Sequence, residues 1–194
     1  MSEFWFYLKL GLDHVLDFAA YDHILFLSVL AIPFTFKTWK KVVVLATVFT
    51  IAHCLSLALS AFEILEVDVS LIEFLIPVTI VLTAIYNIIY VRTKIENRSI
   101  LFHAGATALF GLIHGFGFSN YFKMLMVEEE DKVTPLLGFA SGIELSQLSI
   151  ILSILMIAFL TQEVAKLKQS LFIIGASIVI IFITIPILIE TFPF

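Results

Sequence analysis

Residues 110–118 read FGLIHGFGF and place one histidine, His114, within a long apolar run. A similar phrase, FTIAHCLSL, occupies residues 49–57 and contains His53. In both phrases a phenylalanine stands four residues before the histidine. Gly111 and Gly115 are four residues apart, which is the spacing of a small-residue face that lets two helices pack closely in a membrane. The stretch therefore predicts a closely packed apolar helix that carries an imidazole.

The composition of the whole chain is that of a membrane protein. Of its 194 residues, 61% are hydrophobic and 14% are charged, and the mean hydropathy is +1.09. Soluble domains are about 45–50% apolar and about 25% charged. A water-soluble fold of this size could not hide so much apolar surface, so we expect an integral membrane protein in contact with the lipid bilayer.

Other classes of protein are not favoured. The net charge of −5 is spread over loops, so we expect no nucleic-acid partner. The single cysteine, Cys54, excludes an intrachain disulfide and a cysteine-rich metal site. The first eighteen residues lack the basic segment and cleavage site of a secretory signal, and an amphipathic start is expected there.

Six apolar segments are long enough, or nearly so, to cross a bilayer, which needs about 20 residues per helix. They are residues 20–36, 42–62, 70–91, 100–126, 134–161 and 170–192. The first is short, so residues 4–18 either extend it or lie along the interface as a further helix. Short loops predict that consecutive helices are antiparallel neighbours. We therefore predict an all-α, polytopic transmembrane bundle of six helices, or seven, forming a single domain over residues 1–194.

The loops alternate in charge. Eight of the eleven lysines and arginines lie in three alternate loops, within residues 36–41, 91–98 and 162–169. The opposite loops, around residues 63–68 and 127–132, are acidic. The positive-inside rule places the basic loops in the cytoplasm, so both termini are predicted outside. The Phe- and Ile-rich stretch 172–189 could support a homo-oligomer.

Several ionisable side chains fall inside the predicted spans, where each commonly costs about 2.5–3.5 kcal/mol. They are Asp22, His23, His53, Glu73, His103, His114 and Glu144. At a rise of 1.5 Å per residue, His53, His114 and Glu144 lie about 15–21 Å from the membrane face at which their helices begin. The two residues of the first span and Glu73 are expected at the outer ends of their helices. Six of these side chains can therefore converge in the outer half of the bundle.

Imidazoles together with carboxylates are the usual ligands of divalent transition metals. The mixture favours Ni, Co, Zn, Fe or Mn over Ca and Mg, which prefer oxygen ligands. Gln147, three residues after Glu144, could orient that carboxylate. Other interpretations exist for each residue: a single histidine can link two helices, Glu73 can favour a helix N-terminus, and Asp22 can cap a helix. His14 and His103 suit an interfacial position.

The sequence also resembles a known family. The phrases that carry the resemblance are AYDHILFL (20–27), FTIAHCLSL (49–57), LEVDVSLIEFLIPVTI (65–80), FGLIHGFGF (110–118) and GFASGIELSQL (138–148). Together they are similar to the HupE/UreJ family of bacterial membrane proteins, from about Gly11 to Leu148. The resemblance implies six or seven helices in the bacterial inner membrane, a link to hydrogenase and urease operons, and a role in nickel or cobalt uptake.

The resemblance also implies a set of site residues. The family marks are a histidine before an Asp-His pair, a His-Gly motif and a later glutamate. In this sequence Asp22-His23 matches the pair, His114-Gly115 the second motif and Glu144 the glutamate, and His14 stands in the place of the upstream histidine. The set implied for a metal is then Asp22, His23, His53, His114, Glu144, Glu73 and His14.

Three functions follow from such a site. The preferred one is a permease that takes a divalent cation such as nickel or cobalt from the outer face, with acidic loops raising the local cation concentration and ligand protonation offering a means of coupling. The alternative is a metal-dependent intramembrane hydrolase that activates a water to attack a lipid-like substrate. In the third, the metal only stabilises the bundle.

Overall fold

The computed structural model describes residues 3–17, 20–93, 100–127, 129 and 131–193, and the regular structure of this part is all helical. The helices are α1 (Glu3–Val15), α2 (Asp22–Ala31), α3 (Trp39–Ala61), α4 (Val69–Thr93), α5 (Ile100–Leu125), α6 (Val133–Phe159) and α7 (Gln169–Glu190). A 3₁₀ turn, Phe36–Thr38, precedes α3, and a π-helical turn, Leu160–Val164, extends α6. The prediction of an all-helical membrane protein is confirmed: α3, α4, α6 and α7 are each long and apolar enough to cross a bilayer.

Helices α3 to α7 begin and end within three residues of the predicted spans, but the first span differs. In place of one helix over 20–36, α1 ends at residue 15 and α2 begins at Asp22. Residues 18 and 19 of the connection lie outside the described part. With ten residues, α2 is about 15 Å long and covers only half of a hydrocarbon core of about 30 Å.

The two short helices lie end to end along α6. The hydroxyl of Ser146, near the middle of α6, donates a hydrogen bond to the carbonyl of Leu12 at 3.3 Å, close to the end of α1. At the far end of α6, the ring of Phe159 lies 6.0 Å from the ring of Phe36, just beyond α2. The junction between α1 and α2 is therefore near the middle of the bundle, so Asp22, the first residue of α2, lies there and not at the outer face as predicted.

Glycines allow two helix pairs, α3 with α5 and α1 with α6, to pack backbone against backbone. A Cβ on Gly111 of α5 would lie 2.6 Å from the carbonyl oxygen of Phe49 in α3, and one on Gly115 would overlap the carbonyl oxygen of His53. The Gly111-x-x-x-Gly115 contact face is thus present, as its spacing predicts. Because the contacts advance along both helices together, α3 and α5 are parallel, and the closest helix pairs are not consecutive in sequence.

The free ends of α1 and α7 lie at the same end of the bundle. The hydroxyl of Tyr7 in α1 donates to the Glu129 carboxylate at 3.2 Å, and α7 ends beside the start of α4. Lys123, at the end of α5, forms an ion pair with Glu63 at 3.1 Å. The acidic loops that the structure describes are therefore at this end. Lys94, Arg98, Glu128 and Glu130 lie outside the described residues.

Replacement of Gly142 by alanine should destabilise the pairing of α1 with α6. The added Cβ would lie 2.8 Å from the amide nitrogen of Leu12, in contact with backbone that cannot turn away. Overpacking of this kind costs about 1–3 kcal/mol. A lower midpoint of thermal unfolding in detergent would show it.

Gly175→Ala is the matched control. A Cβ there meets no heavy atom within 4 Å, and alanine favours a helix over glycine by about 0.5–1 kcal/mol. Its melting temperature should stay the same or rise, and equal melting of the Gly142→Ala and Gly175→Ala variants would contradict the packing argument.

Candidate metal centre

Four imidazoles from four helices meet at the junction between α1 and α2. His14 is near the end of α1, His23 is at the start of α2, His53 is in α3 and His114 is in α5. The ring centroids of His14 and His23 are 4.6 Å apart, those of His23 and His53 are 5.6 Å apart, and those of His23 and His114 are 5.3 Å apart. His14, His23 and His53 each offer a ligand atom, and these three atoms all lie within 4.8 Å of one another.

The Nε2 nitrogens of this cluster are buried and lack hydrogen-bond partners among the described residues. His23, His53 and His114 are 2%, 0% and 1% exposed. Among the described residues, the Nε2 atom of each of the four histidines has no partner, and neither has Nδ1 of His53. A buried polar group without a partner costs about 1–3 kcal/mol, and unpaired groups of this kind call for an unseen ion or water. Unprotonated imidazole nitrogen is a ligand of transition metals, so the cluster fits a cation.

Two of the rings are held by neighbours that leave Nε2 free. Oδ1 of Asp22 lies 3.1 Å from Nδ1 of His23 and 2.9 Å from the backbone nitrogen of the same residue. The carbonyl oxygen of Phe110 lies 2.9 Å from Nδ1 of His114. An acceptor at Nδ1 favours the tautomer that has its proton there, so that Nε2 keeps a lone pair for a metal. Asp22 is therefore placed to orient His23.

The structure brings five of the seven residues named in the sequence analysis together, and it leaves two in other surroundings. Glu144 is half-buried between α6 and α3, where its two carboxylate oxygens accept hydrogen bonds from the hydroxyls of Thr47 and Thr50, each at 2.7 Å. Thr50 is one helical turn before His53, so this carboxylate lies one turn along α3 from the cluster. Glu73 is exposed on α4.

Aromatic rings enclose the cluster, and sequence reasoning did not identify them as part of the site. The rings are those of Phe26, Phe49, Phe110, Phe118, Phe122 and Phe139. The ring of Phe49 lies 5.9 Å from that of His53 in the same helix. The signal was present in the two phrases that pair a phenylalanine with a histidine four residues later, because such residues share one face of a helix.

His103 lies apart from the four imidazoles, towards the other end of α5. Its ring is 5.5 Å from that of Tyr86, and both residues line a cavity of about 140 Å³ between α2, α4 and α5. Phe110 also lines this cavity, and its carbonyl contacts His114. The cavity therefore begins one helical turn from the cluster, on the side away from the acidic loops.

The acidic end of the bundle has a carboxylate that stays ionised. Asp131 accepts hydrogen bonds from the hydroxyl of Thr134 at 2.6 Å and from the backbone amide of Val133 at 2.8 Å. These bonds, that of Thr134 first, lower the pKa of Asp131 below its ordinary value. With Glu129 and Glu63 nearby along this face, the end attracts cations over anions.

Comparison with protein families gives one match. The model of the family described as HupE / UreJ protein matches residues 1–191. The chain belongs to the HupE/UreJ family. No curated protein and no solved structure matches. The family is associated with nickel and cobalt transport, and the apolar helices agree with an integral membrane protein.

In this HupE/UreJ protein, the replacement Asp22→Asn should weaken metal binding without unfolding the bundle. The amide cannot supply the negative charge that holds the Nδ1 proton of His23, and loss of such an orienting partner typically lowers metal affinity about 10–100-fold. Competition of Ni²⁺ or Zn²⁺ with a chromogenic chelator, in detergent, measures the change.

Asp13→Asn is the control for this variant. The Asp13 side chain is exposed on α1 and pairs only with Lys9 at 3.1 Å among the contacts described. Its loss should leave the affinity unchanged. If both variants bound metal as tightly as the natural protein, Asp22 would have no orienting role.

Proposed function

We propose that this protein is a permease for a divalent transition-metal cation of the nickel or cobalt kind, in the bacterial inner membrane. The observation that carries the proposal is the meeting of four imidazoles with unpartnered Nε2 atoms in the middle of an apolar bundle. Nitrogen ligands select such metals over Ca²⁺ and Mg²⁺. In this account the cation is the substrate and not a resident cofactor.

The topology we propose has six crossings, with α1 and α2 forming one interrupted span. The basic loops then face the cytoplasm and both termini face outward, by the positive-inside rule. Transporters commonly bind substrates near the midplane at interrupted helices, where irregular backbone can line a site. The junction between α1 and α2 has this position, and the acidic loops are at the side from which the cation enters.

Each side chain of the proposed site has a distinct part. His14, His23 and His53 are the ligands that can reach one ion together, and His114 lies beside His23 as a fourth. Asp22 orients His23 and offsets part of the charge of the cation, which is costly in a medium of low dielectric constant. Glu144 and Glu73 stay outside this set, since Glu144 is held by two threonine hydroxyls.

The hydrolase alternative requires access for a lipid-like substrate to a metal-bound water. Aromatic rings lie against the imidazole cluster on both its outer and inner sides. A single ion can pass such rings after small movements, whereas a lipid ester needs a wide opening. The enclosure therefore favours the permease.

Proteoliposomes provide the decisive test. Vesicles with the purified protein should accumulate radioactive nickel or cobalt, and His53→Ala should lower both bound metal and uptake by about tenfold or more, because it removes a ligand that is fully buried in the site. Elemental analysis gives the bound metal. His103→Ala, which removes an imidazole outside the cluster, should retain the full amount of bound metal.

The other functions give different results in the same assay. Bound metal without accumulation, together with melting of the fold on chelation, would indicate a structural metal. Metal-dependent hydrolysis of lipid esters without accumulation would indicate an enzyme. Failure of the natural protein to bind any transition metal would refute the proposed site.

A further inference from the structure

The imidazole cluster lies between two layers of aromatic rings, one on each side along the axis of the bundle. The outer layer consists of Phe118, Phe122 and Phe139, towards the acidic loops. The inner layer consists of Phe26, Phe49 and Phe110, towards the basic loops. We propose that Phe118 and Phe139 form the outer gate of the site, and that their rings separate to admit the cation. This inference rests on the proposed permease function.

The rings of the outer layer are in direct contact with one another and with the cluster. Phe118 and Phe139 are stacked, with centroids 5.3 Å apart and planes 2° from parallel. Phe122 lies 4.9 Å from Phe139. The ring of Phe118 is 3.9 Å from that of His14, and the ring of Phe139 is 5.6 Å from it. These rings therefore lie directly over the outermost histidine.

The positions of these residues along their helices fix the side on which they lie. In α5, Phe118 follows His114 by one turn, and Phe122 by two turns, towards the end where Lys123 pairs with Glu63. Phe139 lies in the second turn of α6, at the same end. Tyr7 continues the layer outward, with its ring 5.9 Å from Phe122.

The inner layer closes the opposite side. Phe26 is stacked on Phe49 at 5.0 Å and meets Phe110 at 5.7 Å. Phe26 and Phe49 lie 5.2 Å and 5.3 Å from His114. Beyond this layer is the cavity that Phe110 helps to line. The structure is thus closed on both sides of the cluster, which is the arrangement of an occluded site.

An apolar barrier of this kind excludes water and ions until it moves. Phe122 and Phe139 are both 0% exposed, whereas Phe118 is half-buried, so Phe118 has the most room to turn. The face of an aromatic ring attracts cations, so a ring that turns aside can also guide the ion inward.

Access of a thiol reagent to the cluster tests the gate without added metal. In a Cys54→Ser background, His14→Cys places a thiol directly beneath Phe118. A membrane-impermeant cationic methanethiosulfonate, applied from outside, should modify it slowly while the rings are intact. Phe118→Ala should raise the rate by about tenfold or more, since the residue that limits local opening is gone.

Phe26→Ala is the matched control, because it is the same truncation on the other side of the cluster. It should leave the rate from outside unchanged and raise the rate in inverted vesicles. The proposed gate would be overturned by any of three results. These are rapid modification of the thiol with all rings intact, no increase in the rate for Phe118→Ala, and an equal increase in the rate from outside for Phe26→Ala.

A second variant at Phe118 and the absence of metal from the assay keep the test of the gate separate from folding and from transport. Should Phe118→Ala fail to give monodisperse protein, Phe118→Leu tests the same barrier and should give an intermediate rate. Because no metal is present, the access experiment decides the gate whether or not the cluster transports cations. If the natural protein does not accumulate metal, the proposed function is wrong. The access experiment still tests the gate in that case.

Discussion

The burial of polar groups inside an apolar bundle is the constraint on which the rest of this structure depends. Each buried imidazole nitrogen needs a hydrogen-bond partner inside the protein, because a buried nitrogen without a partner costs free energy. Four Nε2 atoms are left unpaired at one place, whereas Nδ1 of His23 and of His114 has an acceptor. Four such groups in one cluster form a site that fits a cation. Close backbone contacts at glycines then keep the helices in register around the cluster.

The break between α1 and α2 is what lets each of these two short helices contribute a histidine to the cluster. In a continuous helix, His14 and His23 would be nine residues apart, about 13.5 Å along the axis and on opposite faces. The break brings their rings to 4.6 Å. Asp22, in the first turn of α2, accepts a hydrogen bond from the amide of His23, and its negative charge is favourable at a helix N-terminus. The same residue therefore stabilises the restarted helix and orients a histidine.

Much of the fold could be predicted from apolar run length, but the partners of each helix could not. Length and composition identify α3 to α7, since each is a long apolar run. The break between the two helices was not predicted, because residues 20–36 read as one apolar run. The packing of α1 on α6 was not predicted either, because it depends on contacts between Gly11 and Gly142. The family resemblance named Glu144, and the depth estimate placed it near the histidines. Depth along a helix says nothing of direction around it, and one residue is a rotation of about 100°. Ile143 therefore faces α1, while Glu144 faces the threonines of α3.

The charge of the cluster bears on whether an ion would stay or pass. Imidazoles bind metal as neutral groups, and Asp22 is the carboxylate that the structure places against the four imidazoles. A divalent cation would thus keep about one net positive charge in a medium of low dielectric constant, where uncompensated charge is expensive. A site that held a structural ion permanently would be stabilised by a second carboxylate. Glu144 lies at a similar depth along its helix, but its oxygens accept hydrogen bonds from Thr47 and Thr50. In the proposed permease, a cation that is only partly neutralised would be held less tightly than one bound by two carboxylates, which favours its release.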